Sequence, residues 1–252
     1  MTDGSETQPK TSICGFDEDT ILLRDRNLVD EVIGHYSFTA AFLLQALGKE
    51  PSSKQIELMD VVLVTIMEHG LVPSVVASRL TFHGAPESLQ GAVAAGLLGV
   101  GDRYAGTAAL CGEVLQALID AESCEAAAAQ RVAEYRSLKR PVPGFGHPIH
   151  TGRDPRVEKL LSYVDAEGKP VQAARALEAA LSEALGRPLV MNVSTALAVL
   201  MFDIGLPVTA MRGVVVLARC AGLVGHLLEE AEQPAGDALW RGAEAAVTYR
   251  QD

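Results

Sequence analysis

Apolar residues along this chain recur at spacings of three and four, which is the periodicity of one face of an α-helix. The clearest run begins after Asn27 and continues to Leu47, where Gly48 is placed to end the helix. Ser52 or Ser53 is placed to cap the next helix. The same pattern predicts further helices at 55–67, 72–80, 88–99, 107–118, 124–137, 157–163, 171–185, 190–202 and 211–228.

Alternating apolar and polar positions, which mark a half-buried strand, do not occur over any useful length. We expect residues 13–23 to form a short ordered segment before the first helix, with a β-hairpin as one option. The chain shows no internal repeat, and no low-complexity tract other than the alanine run at 126–129. We therefore expect an all-α fold.

Composition narrows the class of protein. The chain has 252 residues, of which 48% are hydrophobic and 21% are charged, and its formal net charge is -11. This length suffices for one substantial core or two small subdomains. An acidic chain without a basic run gives no support for nucleic-acid binding. The cysteines form no Cys-x-x-Cys pair, which indicates reduced thiols rather than a disulfide framework or zinc site; they are Cys14, Cys111, Cys124 and Cys220.

Targeting signals are not apparent in the sequence. The first residues contain neither a basic segment nor an apolar core, so we expect no signal peptide. The apolar run at 213–225 is short for a membrane span and contains Arg219. These features predict a soluble, cytoplasmic protein without a membrane partner.

The least generic segment is 144–156, which reads Gly-Phe-Gly-His-Pro-Ile-His-Thr-Gly-Arg-Asp-Pro-Arg. Its glycines and prolines disfavour both helix and strand, so the segment predicts a shaped loop. His147, Arg153 and Arg156 make this loop a candidate anion site, because a guanidinium binds a carboxylate or phosphate through paired hydrogen bonds. A surface turn with solvated charges explains the same residues about equally well.

This loop resembles the active-site loop of the citrate synthase superfamily, in which a Gly-His segment precedes an Asp-Pro-Arg-like segment. Four other segments resemble the family in the same order and extend the similarity over most of residues 60–230. The part reading Gly-Asp-Arg-Tyr is most similar to citryl-CoA lyase modules, including the C-terminal module of ATP-citrate lyase. The four segments are Glu68-His69-Gly70, residues 95–106, Met191-Asn192-Val193-Ser194 and residues 217–226.

The resemblance implies a fold and an assembly. It predicts one citrate-synthase-like unit over residues 1–252, with a large domain at approximately 12–111 plus 213–252. A small domain would be inserted at approximately 112–212. A homodimer is implied, with a higher oligomer as the alternative, because the family places part of its subunit contact in the segment that matches 88–99.

The resemblance also implies a chemistry. Family members make or break the bond between the methyl carbon of an acyl-CoA and a keto-acid carbonyl, as between citryl-CoA and acetyl-CoA plus oxaloacetate. Synthesis requires a base that removes the proton next to the thioester and a donor that stabilises the enolate. Cleavage reverses these steps. The coenzyme A thioester is a substrate, and neither a bound cofactor nor a metal is implied.

The residues of the site follow by position in the resemblance. His147 would hydrogen-bond the substrate hydroxyl or ketone, and Tyr104 replaces a catalytic histidine of citrate synthases, as an aromatic residue does in lyase modules. The remaining contacts fall into two groups. The substrate-binding residues would be His69, Asn192, Arg156 and Arg219, with the two arginines on carboxylates, and CoA would lie against Pro143, Gly144, Phe145 and Gly146.

Ser194 departs from the family pattern, which has an aspartate here that exchanges the proton with the acyl-CoA. A serine hydroxyl is not a strong base near neutral pH without activation. General acid–base catalysis is typically worth ~100- to 10,000-fold in rate. Three hypotheses stay open: a carbon–carbon lyase or synthase of the citryl-CoA lyase type, a family member with another acyl-CoA substrate, and a non-catalytic acyl-CoA-binding homologue.

Each of these residues also has an ordinary structural interpretation. His69 is placed to interact with a helix C-terminus, Tyr104 suits an apolar core, and Arg219 suits a structural ion pair. His83 does not fall on the family pattern, so we predict a loop histidine there. A zinc site built on His147 lacks a third ligand.

Overall fold

The computed structural model describes residues 9–103, 106–146 and 154–250. The described part of the chain is predominantly helical, so the prediction of an all-α fold is confirmed. Its helices are α1 (Phe38–Leu47), α2 (Ser53–Met67), α3 (Pro73–Gly84), α4 (Leu89–Leu98), α5 (Thr107–Ile119), α6 (Cys124–Ser137), α7 (Pro155–Leu161), α8 (Lys169–Leu185), α9 (Val193–Ile204), α10 (Val208–Glu232) and α11 (Gly236–Ala246).

The chain divides into two compact units, residues 1–60 and 61–252, and the first contains a small antiparallel sheet. Cys14 pairs with Leu23 across the first two strands, so the hairpin option at 13–23 is correct. A third strand has only two residues, which is too short for an alternating apolar and polar pattern to predict it. The strands are β1 (Cys14–Phe16), β2 (Ile21–Leu23) and β3 (Arg26–Asn27).

The helix predicted from 28 to 47 is two elements. Residues Leu28–Val32 form one π-helical turn, capped by the Asn27 side chain. The backbone then leaves the helix, with Gly34 at φ +82°. The Ser37 side chain accepts a hydrogen bond from the Ala40 N–H and starts α1. Apolar spacing continues through the break, so the spacing alone predicts one helix where the caps impose two.

The predicted helix boundaries at 48–53 are confirmed. Gly48 ends α1 in the left-handed conformation, φ +68°, and its N–H bonds the Leu44 carbonyl. The Ser52 hydroxyl accepts from the Gln55 N–H, and the Gln55 side chain accepts from the Ser52 N–H. This reciprocal pair is a capping box at the start of α2.

The helices of the second unit form two packing groups. Helices α3, α4 and α10 pack on one another and α11 packs on α3, whereas α5 to α9 form the other group. Helix α10 also packs on α5 and α9. The predicted large domain (12–111 plus 213–252) and small domain (112–212) stay predictions.

The small residues of α4 serve packing inside the chain. A Cβ added at Gly96 would lie 2.7 Å from Leu223 Cδ1 on α10 and 3.0 Å from the Ser74 carbonyl on α3. Gly96 therefore lets three helices approach closely. The homodimer that the family resemblance implies stays a prediction.

The structure corrects the prediction for His83. Helix α3 continues to Gly84, so His83 lies in the last turn of a helix and not in a loop. Its ring packs against α11, where a Cβ added at Gly236 would lie 2.5 Å from His83 Cγ. Helix α11 itself was not predicted, because Leu239 and Trp240 are the only large apolar residues within 236–246 and they are adjacent in the sequence.

Helix α10 is longer than the apolar run in the sequence suggests. Within the described residues it is the one helix long and apolar enough to cross a membrane, by length and composition only. A single such helix is weak evidence, because core helices of soluble proteins meet the same criterion. Here α10 packs on α3, α4 and α5 and carries Arg219 into a site formed with other helices.

Candidate active site

One cavity in the second unit brings together four of the predicted site residues. They reach it from different elements: His69 follows α2, Arg156 is on α7, Ser194 is on α9 and Arg219 is on α10. The other lining residues are mostly apolar, so the cavity has charged groups set in apolar walls. They are Thr65, Ile66, Ala108, Val193, Leu197 and Val215.

One face of α10 forms a wall of this cavity. Arg219, Gly222 and His226 are spaced by three and four residues, so they share a helix face. A Cβ at Gly222 would collide with the Met67 carbonyl at the end of α2. Only glycine permits this approach, which sets Arg219 beside the turn that contains His69.

Arg219 is half-buried and makes no hydrogen bond or ion pair to another described residue. Burial lowers the pKa of its guanidinium, and the nearby Glu68 carboxylate partly offsets that effect. An arginine remains protonated in proteins, so its positive charge persists. A half-buried cation without a partner favours an anionic ligand. The structural ion-pair interpretation of Arg219 gains no support from the described residues.

Arg156 is held in a different way. Its Nε donates to Asp154 Oδ1 at 3.0 Å and its Nη2 donates to Asp154 Oδ2 at 2.8 Å. Asp154 is buried and also caps α7 by accepting from the Arg156 N–H. Pro155 occupies the first helical position, where no N–H is needed. The Asp-Pro-Arg sequence is therefore a helix start that fixes one guanidinium at the cavity wall.

His69 reaches the cavity from the turn after α2. Desolvation lowers the pKa of its ring, and the Arg219 and Arg156 guanidinium groups lower the pKa further. Glu68 acts in the opposite direction but does not reverse the shift. The ring is therefore neutral at pH 7, with one nitrogen that donates a proton and one that accepts.

The backbone of Gly144–Gly146 pairs with the segment that leads into α9. The Gly144 carbonyl accepts from the Asn192 N–H at 2.9 Å, and the Gly146 N–H donates to the Val190 carbonyl at 2.9 Å. Phe145 is buried opposite Met191. The approach to the central loop is thus fastened to the start of α9. Contact of CoA with Pro143, Gly144, Phe145 and Gly146 stays a prediction.

The Asn192 side chain is engaged within the protein. Its Oδ1 accepts from the Ser194 N–H and caps α9, and its Nδ2 donates to the Gly146 carbonyl at 2.9 Å. One amide therefore joins the helix start to the loop. Substrate binding by Asn192 stays a prediction, and its two hydrogen bonds position the start of α9 against the loop.

Two buried residues, Thr195 and Cys111, pack against the backbone of Gly144. The Thr195 hydroxyl donates to the Gly144 carbonyl at 2.5 Å and lies 3.5 Å from Cys111 Sγ. Complete burial raises the pKa of Cys111 to about 12, so it remains a thiol. Cys111 is therefore a packing residue and not a nucleophile.

Ser194 faces the cavity near the N-terminus of α9. Its Oγ makes no hydrogen bond to any residue that the structure describes. Asp203 is nine residues further along α9 and exposed, roughly 13 Å along the helix axis at 1.5 Å per residue. Asp203 therefore does not replace the aspartate that the family carries at the position of Ser194.

Two predicted catalytic residues, His147 and Tyr104, lie outside the described residues. Their roles stay predictions from the resemblance. Thr195 and Asp154 were not predicted as site residues, although Thr195 directly follows one quoted motif and Asp154 lies inside another. A polar residue next to a motif and inside an apolar run is the signal that would have drawn attention to Thr195.

The part of the chain that the structure describes contains no group of three His, Cys, Asp or Glu side chains placed to hold a metal ion. Its chemistry instead rests on two guanidinium groups and a neutral imidazole around an apolar-walled cavity. Such an arrangement suits a small molecule with two carboxylates and a carbonyl or hydroxyl between them.

The fold and this site define a class of protein. Residues 23–243 match the family model for "Citrate synthase, C-terminal domain", and the chain belongs to the citrate synthase family. The structure is similar to that of citryl-CoA lyase from Hydrogenobacter thermophilus, with a TM-score of 0.85 and 27% sequence identity. That likeness covers 97% of this chain and 95% of the lyase chain. The predicted resemblance is confirmed.

Other relatives are matched over part of their length. The citrate synthase of Haloferax volcanii is 26% identical over 208 residues, which is 81% of this chain and 53% of that protein. ATP citrate lyase from Methanothrix soehngenii, in complex with citrate and coenzyme A, is similar with a TM-score of 0.80. Its 22% identity, over 98% of this chain and 42% of the other, shows the fold alone. The chain spans about half the length of the citrate synthases that it matches.

Proposed function

We propose that this protein is a citryl-CoA lyase-like enzyme. It would cleave or form the carbon–carbon bond between an acyl-CoA methyl carbon and a keto acid, with citryl-CoA, acetyl-CoA and oxaloacetate as the candidate reactants. The observation that carries the proposal is the cavity containing His69, Arg156 and Arg219, in a chain similar over almost its whole length to a citryl-CoA lyase. The same residues serve the synthetic, acyl-transferring direction.

Substrate binding follows from the charges. Arg219, which lacks a partner among the described residues, would bind one carboxylate of the tricarboxylate portion. Arg156, held by Asp154, would contact another. The apolar wall from α9 and α10 excludes water around these charges and strengthens their attraction. CoA would enter as part of the substrate, beside the Gly144–Gly146 backbone.

Proton transfer cannot rest on Ser194 alone, because no described residue hydrogen-bonds its hydroxyl and activates it. Among the described lining residues, His69 is the one group with a basic ring nitrogen, and its lowered pKa leaves that nitrogen unprotonated at pH 7. We assign to His69 the proton exchange that an aspartate performs in the family. His147 would hydrogen-bond the hydroxyl of the substrate, as the resemblance implies.

The test is cleavage of citryl-CoA by the purified full chain, read as oxaloacetate through NADH-coupled malate dehydrogenase. We expect Arg219→Met to lower kcat/KM about 100-fold, since truncating one partner of a buried charge pair costs roughly 2–5 kcal/mol. Arg187→Met, at an exposed arginine after α8, is the matched control and leaves the rate unchanged. His147→Ala and Ser194→Asp complete the set.

The outcomes separate the hypotheses. Turnover that requires Arg219 and His147 supports the lyase. A silent wild type with activity gained in Ser194→Asp indicates an intact pocket that has lost its base. Silence in every variant contradicts citryl-CoA cleavage, and a panel of other acyl-CoAs then tests the alternative substrate.

A non-catalytic acyl-CoA-binding protein is the second candidate, and the isolated Ser194 hydroxyl favours it. This reading predicts that calorimetry detects tight binding of a CoA ester without turnover. Binding weakened by Arg219→Met in the absence of any reaction would support it, whereas turnover of any acyl-CoA would exclude it.

We further propose that the protein acts as a homodimer in the cytoplasm. Leu98 on α4 is 89% exposed and Leu228 on α10 is 62% exposed in the single chain. Apolar side chains this exposed favour an interface between copies. The acidic net charge of -11 gives no basis for a nucleic-acid partner.

A further inference from the structure

A series of hydrogen bonds runs behind the cavity through three side chains, which we call the Arg79–His226–Glu68 network. Arg79 Nη2, on α3, lies 2.9 Å from His226 Nδ1 on α10. His226 Nε2 lies 2.7 Å from Glu68 Oε2, just after α2. None of the three lines the cavity itself. The network therefore joins α3, α10 and the end of α2 without contacting a ligand there.

The direction of each hydrogen bond follows from the donors. A guanidinium only donates, so His226 Nδ1 accepts from Arg79. The proton of the neutral ring is then on Nε2, which donates to Glu68. Arg79 thus selects the one tautomer of His226 that can hold the Glu68 carboxylate.

Glu68 passes this constraint to the backbone of the site. Its Oε1 accepts from the His69 N–H at 2.8 Å and also from the Gly70 N–H. Gly70 has φ +72°, a conformation that non-glycine residues rarely adopt. Burial alone would raise the pKa of Glu68, but the Gly70 N–H, the His226 ring and the His69 N–H together hold it below its ordinary value. The carboxylate is therefore ionised, and it accepts from the ring and both amides at once.

The other end of the network is fixed firmly. Arg79 is 3% exposed and donates from Nη1 to Glu230 Oε2 at 2.7 Å. Glu230 Oε1 accepts from the Ala235 and Gly236 N–H groups, at the start of α11. Arg79 also pairs with Glu229. A buried, multiply bonded arginine gives the network a rigid base.

We propose that His226 is a positioning residue that holds the His69 turn in place, through Glu68, under the control of Arg79. The assignment rests on the proposed function, because the group it positions is the proton-exchanging histidine. Hydrogen bonds to ionised groups are the stronger class, and a misplacement of about 1 Å at a reacting group costs about 100-fold in rate. Loss of the network should therefore appear both in the turn and in catalysis.

The first experiment measures amide hydrogen exchange of His69 and Gly70 by NMR in the full chain. We expect His226→Phe, which removes both the acceptor and the donor, to accelerate exchange of both amides ~10- to 100-fold. His226→Gln retains one acceptor and one donor, so it should restore most of the protection. The amide of Leu115, buried in α5, monitors global stability and should not change.

His83→Phe is the matched control. His83 is also on α3 and packs against α11 at Gly236, but its ring bonds none of the three network side chains among the described residues. Its substitution should leave the His69 and Gly70 amides as protected as in the wild type. Equal protection in His226→Phe and His83→Phe would overturn the proposal, as would a failure of His226→Gln to restore protection lost in His226→Phe.

Glu68→Gln tests the network from the other side. One oxygen of the amide can still accept from the His69 and Gly70 amides, but its NH₂ group then faces the His226 donor. If the amide is rotated by 180°, its oxygen accepts from His226 and its NH₂ group instead faces the two backbone N–H groups, which are also donors. We expect faster exchange at His69 and Gly70 in either orientation, and wild-type exchange would contradict the proposal.

Kinetics then distinguish failure of this inference from failure of the proposed function. If citryl-CoA is cleaved, His226→Phe should lower kcat about 100-fold with little change in KM, because it displaces the proton-exchanging group and leaves Arg219 in place. Retained kcat with loosened amides would overturn the positioning role alone. If no acyl-CoA is cleaved, the exchange data still decide whether the network holds the turn.

Discussion

Gly144 shows how a residue without a side chain can shape the candidate active site. Its carbonyl accepts from both the Asn192 N–H and the Thr195 hydroxyl, and its φ is +87°. A Cβ at this position would lie 2.7 Å from Cys111 Sγ and would collide with the Thr195 hydroxyl. Glycine is therefore required here for two independent reasons, backbone conformation and space.

Replacing Gly144 separates these two reasons when it is compared with Gly186. Gly186→Ala also places alanine at positive φ (+64°), but no atom lies within 4 Å of the new Cβ. We expect Gly186→Ala to lower the free energy of unfolding by about 1–2 kcal/mol. Gly144→Ala should lower it by about 2–5 kcal/mol, since overpacking adds to the strain. Urea unfolding followed by circular dichroism measures both, and equal losses would contradict the collision.

Single residues could be predicted where their chemistry is distinctive. His69, Arg156, Ser194 and Arg219 were selected from the sequence, and the structure places them around one cavity. Their roles were carried by a resemblance and stay predictions. Residues that act by packing, such as Cys111, gave no signal, because a thiol reads the same in a sequence whether it is buried or reactive.

At the scale of elements, α10 carries most of the organisation of the site. It spans Val208–Glu232, and one face of it presents Arg219 to the cavity, Gly222 to the end of α2 and His226 to Glu68. Spacings of three and four residues place these side chains on the same face of α10, so one helix face makes all three contacts.

Gly222 and Gly225 offer a comparison within that helix. Gly222→Ala should lower the free energy of unfolding by about 2–4 kcal/mol, because the new methyl group meets the Met67 carbonyl. Gly225→Ala meets no atom within 4 Å and should raise it by about 0.5–1 kcal/mol through helix propensity. Thermal and urea unfolding give both values. Opposite signs support the close approach of α10 to α2, and a stabilised Gly222→Ala would refute it.

Helix limits were predicted best where a cap is explicit. Ser52 and Gly48 mark real ends, and α6 (Cys124–Ser137) has the limits that its alanine-rich pattern predicts. The interruption before Ser37 and the whole of α11 were missed. In both places the periodic pattern is a poor guide: a capped break keeps the apolar spacing, and the apolar positions of α11 are mostly alanines, which mark a buried face weakly.

At the scale of the whole molecule, the property to measure is the oligomeric state of the protein in solution. Light scattering coupled to size exclusion should give twice the 26.6 kDa of the chain if the homodimer forms. Leu98→Glu, at the exposed end of α4, should shift the mass toward one chain. Leu138→Glu, at a 65% exposed residue after α6, is the control and should leave the dimer intact. A single-chain mass for the wild type would contradict the dimer.

The sequence by itself determined the class of this protein. Helical periodicity, caps and five ordered motifs are local properties, and they led to an all-α fold of the citrate synthase family, which the structure and the family model confirm. The substitution at Ser194 is equally visible without coordinates.

The tertiary structure alone decided which groups meet and in what state. Arg219 is 150 residues from His69 in the sequence, yet both line one cavity. The lowered pKa of His69 and the tautomer of His226 both depend on neighbours brought from other helices. Charge and hydrogen-bond state are set by surroundings in space, and a linear pattern does not specify those surroundings.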